Sequence, residues 1–165
     1  MPTVAIIADT HIPSRAAAIP GWVEEAVRDA DQVIHAGDFD SPEAHERIVD
    51  LADGALTAVS GNMDPGALSV PAFDSTTVGG VTFGVTHGTG SPSGYEERVR
   101  QTVLAETDAE DPVAVSGHTH QVLDTDRGIR ILNPGSATGA WPADEATMMR
   151  ATVEDGSLDV EVLEE

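Results

Sequence analysis

Five short polar motifs, each directly after an apolar, strand-like run, constrain this chain more than any other feature. They are Asp9-Thr10-His11, Gly37-Asp38, Gly61-Asn62, His87-Gly88 and Gly117-His118-Thr119-His120. Each lies at the C-terminal end of its run, where open α/β sheets place their ligand sites. Together they supply two Asp, one Asn and four of the six His side chains, all oxygen or imidazole donors with no thiolate. Hard and borderline divalent metals take that mixture. Seven ligands are too many for one tetrahedral ion, whereas two ions sharing a bridging carboxylate use them all. A binuclear metal site for phosphate-ester hydrolysis is therefore the expected chemistry. Any one motif alone says little, since Gly-Asp is a common turn and a lone His is usually structural; the ordered set carries the reading. Asp9 and His11 are two apart, as are His118 and His120, so each pair can point one way from an extended segment. The glycines at 37, 61, 88 and 117 are expected to let the backbone turn sharply beside the ligands.

The elements follow from periodicity. Residues 3–8 form a continuous apolar run, the pattern of a buried strand. Residues 21–30 fit a helix with Val23, Ala26 and Val27 on one face, and residues 32–36 the next strand. Ser41-Pro42 is a helix start, with Ser as N-cap and Pro at the first helical position, and Gly54 stands where that helix should end. With a strand over 55–60, the first sixty residues read βαβαβ and predict parallel pairing. Gly79-Gly80, between strands at 76–78 and 81–85, predicts a hairpin. A helix over 94–105 turns Val99, Thr102 and Val103 to the core, and a strand over 113–116 leads into Gly117. The segments 121–124, 128–132, 146–153 and 158–162 read as antiparallel strands joined by Asp/Gly turns. Residues 88–94, rich in Gly, Ser, Thr and Pro, are the one loose stretch.

At 165 residues the expectation is one domain over 1–165, large enough to hold a core without cross-links. There is no cysteine, which excludes disulfides and zinc–thiolate sites. Asp and Glu number 29 against 8 basic residues, for a net charge of -21, and every basic residue is arginine. Such a chain repels itself at low ionic strength. The absence of lysine favours adaptation to multimolar salt, where the screening length falls to roughly 3 Å, over an ordinary acidic surface. Nucleic acid and anionic membrane are poor partners for it. No apolar run spans a bilayer, the first residues read as a strand and not a leader, and cytoplasm is the expected compartment.

The order D-x-H, GD, GN, HG, GHTH resembles the calcineurin-like metallophosphoesterase superfamily. Within it, Thr10-His11-Ile12-Pro13, Gly61-Asn62-Met63-Asp64 and Asn133-Pro134-Gly135-Ser136-Ala137-Thr138-Gly139 resemble the small YfcE-type phosphodiesterases and the related retromer scaffold subunit. The resemblance implies an α/β fold: a four-layer α/β/β/α sandwich, two packed mixed β-sheets flanked by helices. It implies that Asp9, His11 and His120 hold one metal, that Asn62, His87 and His118 hold the other, and that Asp38 bridges ions about 3.5–4 Å apart. Residues 133–136 would be a structural turn. Hydrolysis would proceed by attack of a metal-bridging hydroxide, with Asp38, Asn62 and His118 as candidate catalytic residues. The cofactors are two divalent ions, Mn²⁺ first, with Ni²⁺, Co²⁺, Fe²⁺ or Zn²⁺ compatible with the donors. Two ions, two carboxylates and a hydroxide leave the site slightly positive.

Two positions depart from the family pattern. Met63 replaces a histidine that many relatives carry for the leaving group, and Met gives no proton. Thr89-Gly90 stands where relatives often have a further histidine. A phosphomonoester dianion wants cationic clamps, and these loops offer only Arg15 nearby, so a phosphodiester is the favoured small substrate. A non-catalytic protein-interaction scaffold and a nucleotide or dinucleotide phosphohydrolase are the alternatives; homo-oligomers occur among relatives. Of the other residues, His35 reads as core or as support for a ligand, and His45 as surface. Trp22 and Trp141 read as packing residues, with a substrate or subunit contact the alternative for Trp141. Asp40 and Asp64 lie near the motifs, but acids are so frequent here that proximity says little.

Overall fold

Alternation along the first strand decides the layering. In β1 (Thr3–Ile7), Val4 and Ile6 point to one face, Ala5 and Ile7 to the other, and all four are buried. A strand with two apolar faces needs cover on both. The computed structural model, which describes residues 1–164, supplies it. Val4 and Ile6 pack with Ile34 of β2 (Gln32–His35) against Val81, Phe83 and Val85 of β5 (Val81–Thr86). Ala5, Ile7 and Val33 face Val23 and Val27 of α1 (Gly21–Asp29) and Ala44 and Ile48 of α2 (Pro42–Ala52). On the far side, Tyr95, Val99 and Val103 of α3 (Tyr95–Glu106) cover Ala114 and Ile131. The order is helices, sheet, sheet, helix: the expected four-layer α/β/β/α sandwich. Each fully buried Ile or Phe in these layers contributes about 1.5–3 kcal/mol relative to exposure.

The remaining strands are β3 (Leu56–Ala58), β4 (Phe73–Val78), β6 (Val113–Val115), β7 (Val122–Asp126), β8 (Arg130–Pro134), β9 (Thr147–Glu154) and β10 (Ser157–Glu164). The sheets run β10-β9-β1-β2-β3 and β4-β5-β6-β8-β7. β1, β2 and β3 are parallel, with Ile7 opposite His35 and His35 opposite Ala58. β5, β6 and β8 are parallel, with Val85 opposite Val115 and Val115 opposite Leu132. The chain therefore leaves each trio of strands at a common end. The two ends meet, for the Ala137 N–H donates to the Ala8 carbonyl and the His118 N–H to Asp9 Oδ2 at 3.0 Å.

Beyond shifts of a residue or two at element ends, two features differ from the sequence reading: the start of β4 and the pairing of β8. Ser41 caps α2 through the Ala44 N–H, as expected, and also donates to the Ile12 carbonyl at 2.7 Å. The helix ends at Ala52, with Asp53 as its C-cap at φ 52° and Gly54 just beyond it at φ 84°, where the sequence placed the stop; a short Asp side chain tolerates the left-handed region. β4 begins at Phe73, because that ring packs on the α3 layer and its backbone pairs with Thr86. β8 is antiparallel to β7 but parallel to β6, so only one of its edges matches the antiparallel expectation. Among the described residues no helix is long and apolar enough to cross a membrane.

Candidate metal centre

The candidate ligands and Asp40 beside them make the turns. Asp9, His11, Asp38, Asp40, His118 and His120 all have φ between 45° and 80°, six of the nine non-glycine residues with positive φ. Holding an L-residue there costs about 1–2 kcal/mol. Asp9-x-His11 and His118-x-His120 therefore converge through left-handed kinks, not through the extended alternation the spacing suggested. Two of the glycines serve a different purpose from the one expected. A Cβ on Gly61 would sit 2.1 Å from Asp38 Oδ1, and one on Gly117 would sit 2.8 Å from Asp9 Oδ2. Neither has a positive φ; they are glycine so that backbone can pass against the carboxylates.

Two donor groups that contain histidine result, Asp9 with His11 and His120, and Asp38 with His87 and His118; a third, Asp38 with Asp40 and Asp64, is all carboxylate. Asn62 joins the second, its Oδ1 lying 3.1 Å from His118 Nδ1. Asp38 Oδ2 lies 3.1 Å from His87 Nε2 and 3.4 Å from His11 Nε2, between the two groups.

Hydrogen bonds on the outer ring nitrogens fix which nitrogen faces inward. His87 Nδ1 donates to the Ala36 carbonyl at 2.7 Å, His120 Nδ1 to the Ala140 carbonyl at 2.9 Å, and His118 Nε2 to the Gly90 carbonyl at 3.1 Å. His11 Nδ1 faces the Asp40 carboxylate at 2.9 Å. An acceptor on the outer nitrogen places the hydrogen there, so in the neutral ring the inner nitrogen presents a lone pair. Those lone pairs meet other acceptors. His11 Nε2 and His120 Nε2 are 3.1 Å apart, and His118 Nδ1 faces the Asn62 oxygen. The buried atoms Asp9 Oδ1 and His87 Nε2 make no hydrogen bond, and His87 Nε2 faces the Asp38 carboxylate at 3.1 Å. Acceptor facing acceptor inside a protein calls for a cation, and this donor set fits divalent ions.

The carboxylates set the field. Burial works to lower the proton affinity of His11, but Asp9, Asp40 and Asp38 outweigh it and raise the pKa. His87 is likewise raised, by Asp38 and Asp9 against the effect of burial. Asp38 is lowered, the neighbouring His87 and the Met63 N–H prevailing over burial. His118 is lowered by burial and by His87.

Residues 3–156 match the calcineurin-like phosphoesterase superfamily domain. The chain belongs to that superfamily. A Methanothermobacter thermautotrophicus protein named "Probable metallophosphoesterase" is 34% identical over 162 residues, spanning 97% of this chain and 91% of that protein. Among solved structures, a Thermotoga maritima protein determined by NMR superposes with a TM-score of 0.76 at 28% identity, over 99% of each chain. Vacuolar Protein Sorting 29 from Cryptosporidium parvum superposes with a TM-score of 0.73 at 25% identity, over 99% of this chain and 97% of that one.

In this member of the superfamily several supporting residues escaped the sequence reading. Asp64 accepts the backbone N–H groups of Asp38, Asp40 and Gly61 at 2.8–2.9 Å, tying two metal-side loops together. Asp40 holds His11. Both carry charge that the sequence-based count omitted, so the centre is less positive than expected. The Met63 side chain is 46% exposed, while its N–H holds Asp38 Oδ1 at 2.8 Å. Tyr95 and Asn133 both donate to the Gly117 carbonyl; Asn133 does so from the end of β8, so the turn expected over 133–136 begins only after Pro134. His35, as expected, is a supporting core residue: it accepts the Gly37 N–H, meets Thr10 Oγ1 at 3.1 Å, and stacks on Phe39. The loose stretch 88–94 has no regular structure, yet Arg98 donates to the Gly88 and Ser91 carbonyls and His118 to Gly90. Trp22 packs against the α1–α2 layer as expected. Trp141 does not pack: it is 76% exposed.

Proposed function

We propose that this chain is a binuclear metal-dependent phosphodiesterase. Asp9, His11 and His120 hold one ion, Asn62, His87 and His118 the other, and Asp38 bridges them. The observation that carries the reading is the inward turn of the histidine lone pairs, each with its outer nitrogen fixed on an acceptor. A scaffold that bound no metal would gain nothing from burying Asp9 Oδ1 and His87 Nε2 without a hydrogen bond. Bound ions would supply Lewis-acid charge at the phosphoryl group and lower the pKa of bound water. Manganese is the first candidate from the oxygen and imidazole donors.

The protein's own groups favour a diester. Asp40 and Asp64 add negative charge beside the centre, and Arg98 is held on loop carbonyls. A monoanionic diester meets less repulsion there than a dianionic monoester. His118 keeps its hydrogen on the Gly90 carbonyl, and Met63 has none to give. Neither offers a proton to a departing alkoxide, so esters with good leaving groups suit the site. The surface charge of -21 fits work in concentrated salt, inside the cell.

The test is hydrolysis of bis(p-nitrophenyl) phosphate by metal-stripped protein, with and without Mn²⁺, in concentrated KCl. Metal-dependent turnover exceeding that on p-nitrophenyl phosphate supports the reading. No turnover with any divalent ion, by folded protein, would sink it and favour the scaffold.

A further inference from the structure

In a chain this acidic the unpaired cations are informative. Six of the eight arginines lie against a glutamate or aspartate. Among the described residues only Arg98 and Arg15 do not. Arg98 is bound to two loop carbonyls. Arg15 is exposed, four residues beyond His11, and its N–H is held on the His11 carbonyl at 2.9 Å. Its guanidinium makes one hydrogen bond, from Nη1 to the carbonyl of Trp141 at 2.9 Å. Four of the five N–H donors an arginine carries stay available.

Trp141 is exposed on a backbone that is fastened to the centre. The Ala140 carbonyl beside it takes the His120 hydrogen, and the Ala140 N–H donates to Ser136 Oγ, which itself donates to the Asp9 carbonyl at 2.7 Å. Thr138 Oγ1 donates to the Thr10 carbonyl at 2.7 Å. Next to Trp141, Pro142 and Ala143 line a cleft of about 290 Å³ that reaches His120. A single exposed aromatic is ordinary on a protein surface; what is informative about Trp141 is the company it keeps, 76% exposed with the Arg15 guanidinium on its own carbonyl. Here it stands with a free guanidinium at the rim of the phosphate-binding site.

We propose that Trp141 and Arg15 form a subsite for the ester group of the substrate, and that this group is a planar aromatic: an aryl ring or a nucleobase. The indole supplies the stacking face, and the guanidinium supplies donors and the positive charge this surface otherwise lacks. The proposal rests on the phosphodiesterase reading for its substrate, but its test reads binding and not turnover.

Calorimetric titrations of the Mn²⁺-loaded chain in concentrated KCl compare methyl phosphate, phenyl phosphate and thymidine 5′-monophosphate. At least one aromatic probe is expected to bind about tenfold more tightly than methyl phosphate. Trp141→Ala should abolish that advantage and Trp141→Phe should restore most of it. An advantage for both aromatic probes identifies a ring of any kind; an advantage for the thymidine ester alone, lost also in Arg15→Ala, identifies a nucleobase. Equal affinity for all three, or a preference that survives Trp141→Ala, overturns the subsite. So does sedimentation in which Trp141→Ala converts a dimer to monomers while leaving the ligand preference unchanged, because the ring would then be a subunit contact. A Trp141-dependent preference in a protein that hydrolyses no diester would end the phosphodiesterase reading and leave the subsite standing.

Discussion

The two donor groups of the centre differ in closure. Asp9, His11 and His120 are 0%, 1% and 6% exposed, and both ring orientations are fixed from behind, by Asp40 and by the Ala140 carbonyl. The other group shares the buried Asp38 and His87 but is completed by half-buried His118 and exposed Asn62, whose outer contact is the loop carbonyl of Gly90. An enclosed donor set is preorganised for one ion, whereas an open one leaves coordination positions for water and substrate, as catalytic sites require. The difference predicts unequal affinities, with the first ion held tightly and the second exchangeable.

The largest effect should come from the residue both groups share. Asp38→Ala is expected to lower turnover by at least about 10³-fold, and full retained activity would remove the bridging assignment. The two groups separate at the next level. His87→Ala should leave close to one tightly held ion per chain by elemental analysis, whereas His11→Ala should take away the tight one. Equal losses from both variants would mean that the closure seen in the structure does not govern affinity. Smaller again is Asp40→Asn, which keeps the shape but weakens the carboxylate behind His11. A loss of roughly 10–100-fold in affinity for the first ion is expected, measured by competition with a chelator, with the second ion little affected.

The enclosed and open parts were not equally legible in the sequence. Strand ends and the donors that cluster beyond them were readable because the motifs are local and each follows an apolar run, as in Ile6-Ile7-Ala8-Asp9. The conformation of the candidate ligands was not, because φ near 50° at Asp9 and His11 goes with backbone bonds to the loop after β2, the Asp9 N–H on the Gly37 carbonyl and the His11 N–H on the Asp38 carbonyl, with the His118 N–H on Asp9 Oδ2 arriving from the other sheet. Asp64 and Asp40 were invisible for another reason. With 29 acids in the chain, composition masks a carboxylate whose role depends on three backbone N–H groups arriving from elsewhere. Trp141 was misjudged because rarity suggested packing, while its exposure is set by the fastened 136–140 turn. The pairing of β8 on two edges was beyond any periodicity, since alternation does not name the partner.

Salt probes the contrast from outside. Exposed acids such as Glu145 and Glu164, which meet closely enough for Glu164 to raise the pKa of Glu145, repel one another through solvent, and the screening length shortens from about 10 Å at 0.1 M to about 3 Å at 1 M. The thermal midpoint should therefore climb steeply with KCl. Affinity at the enclosed group should change less than at the open one, because buried charges are screened less. A flat midpoint would defeat adaptation to concentrated salt.

The smallest predicted effect comes from His35, the buried histidine that is not a ligand. Both its ring nitrogens are satisfied within the protein, by the Gly37 N–H and Thr10 Oγ1. Burial, and then the neighbouring His87, push its pKa down from 6.5 to about 3. A folded pKa below the unfolded one means that the unfolded chain binds the extra proton. The contribution to stability is thus complete above pH 6.5 and is lost as the pH falls from there toward 3, at up to about 1.4 kcal/mol per unit. Between pH 7 and pH 5 the wild-type chain should lose roughly 2 kcal/mol more than His35→Gln, read from urea unfolding at the two pH values. Whatever the ligand histidines contribute to this slope is common to both proteins, so the difference isolates His35. Parallel losses would mean that His35 already carries a proton when folded. The Gly37 N–H could not then donate to Nδ1, and the assignment of His35 as the satisfied counterpart of the lone-pair histidines would have to be given up.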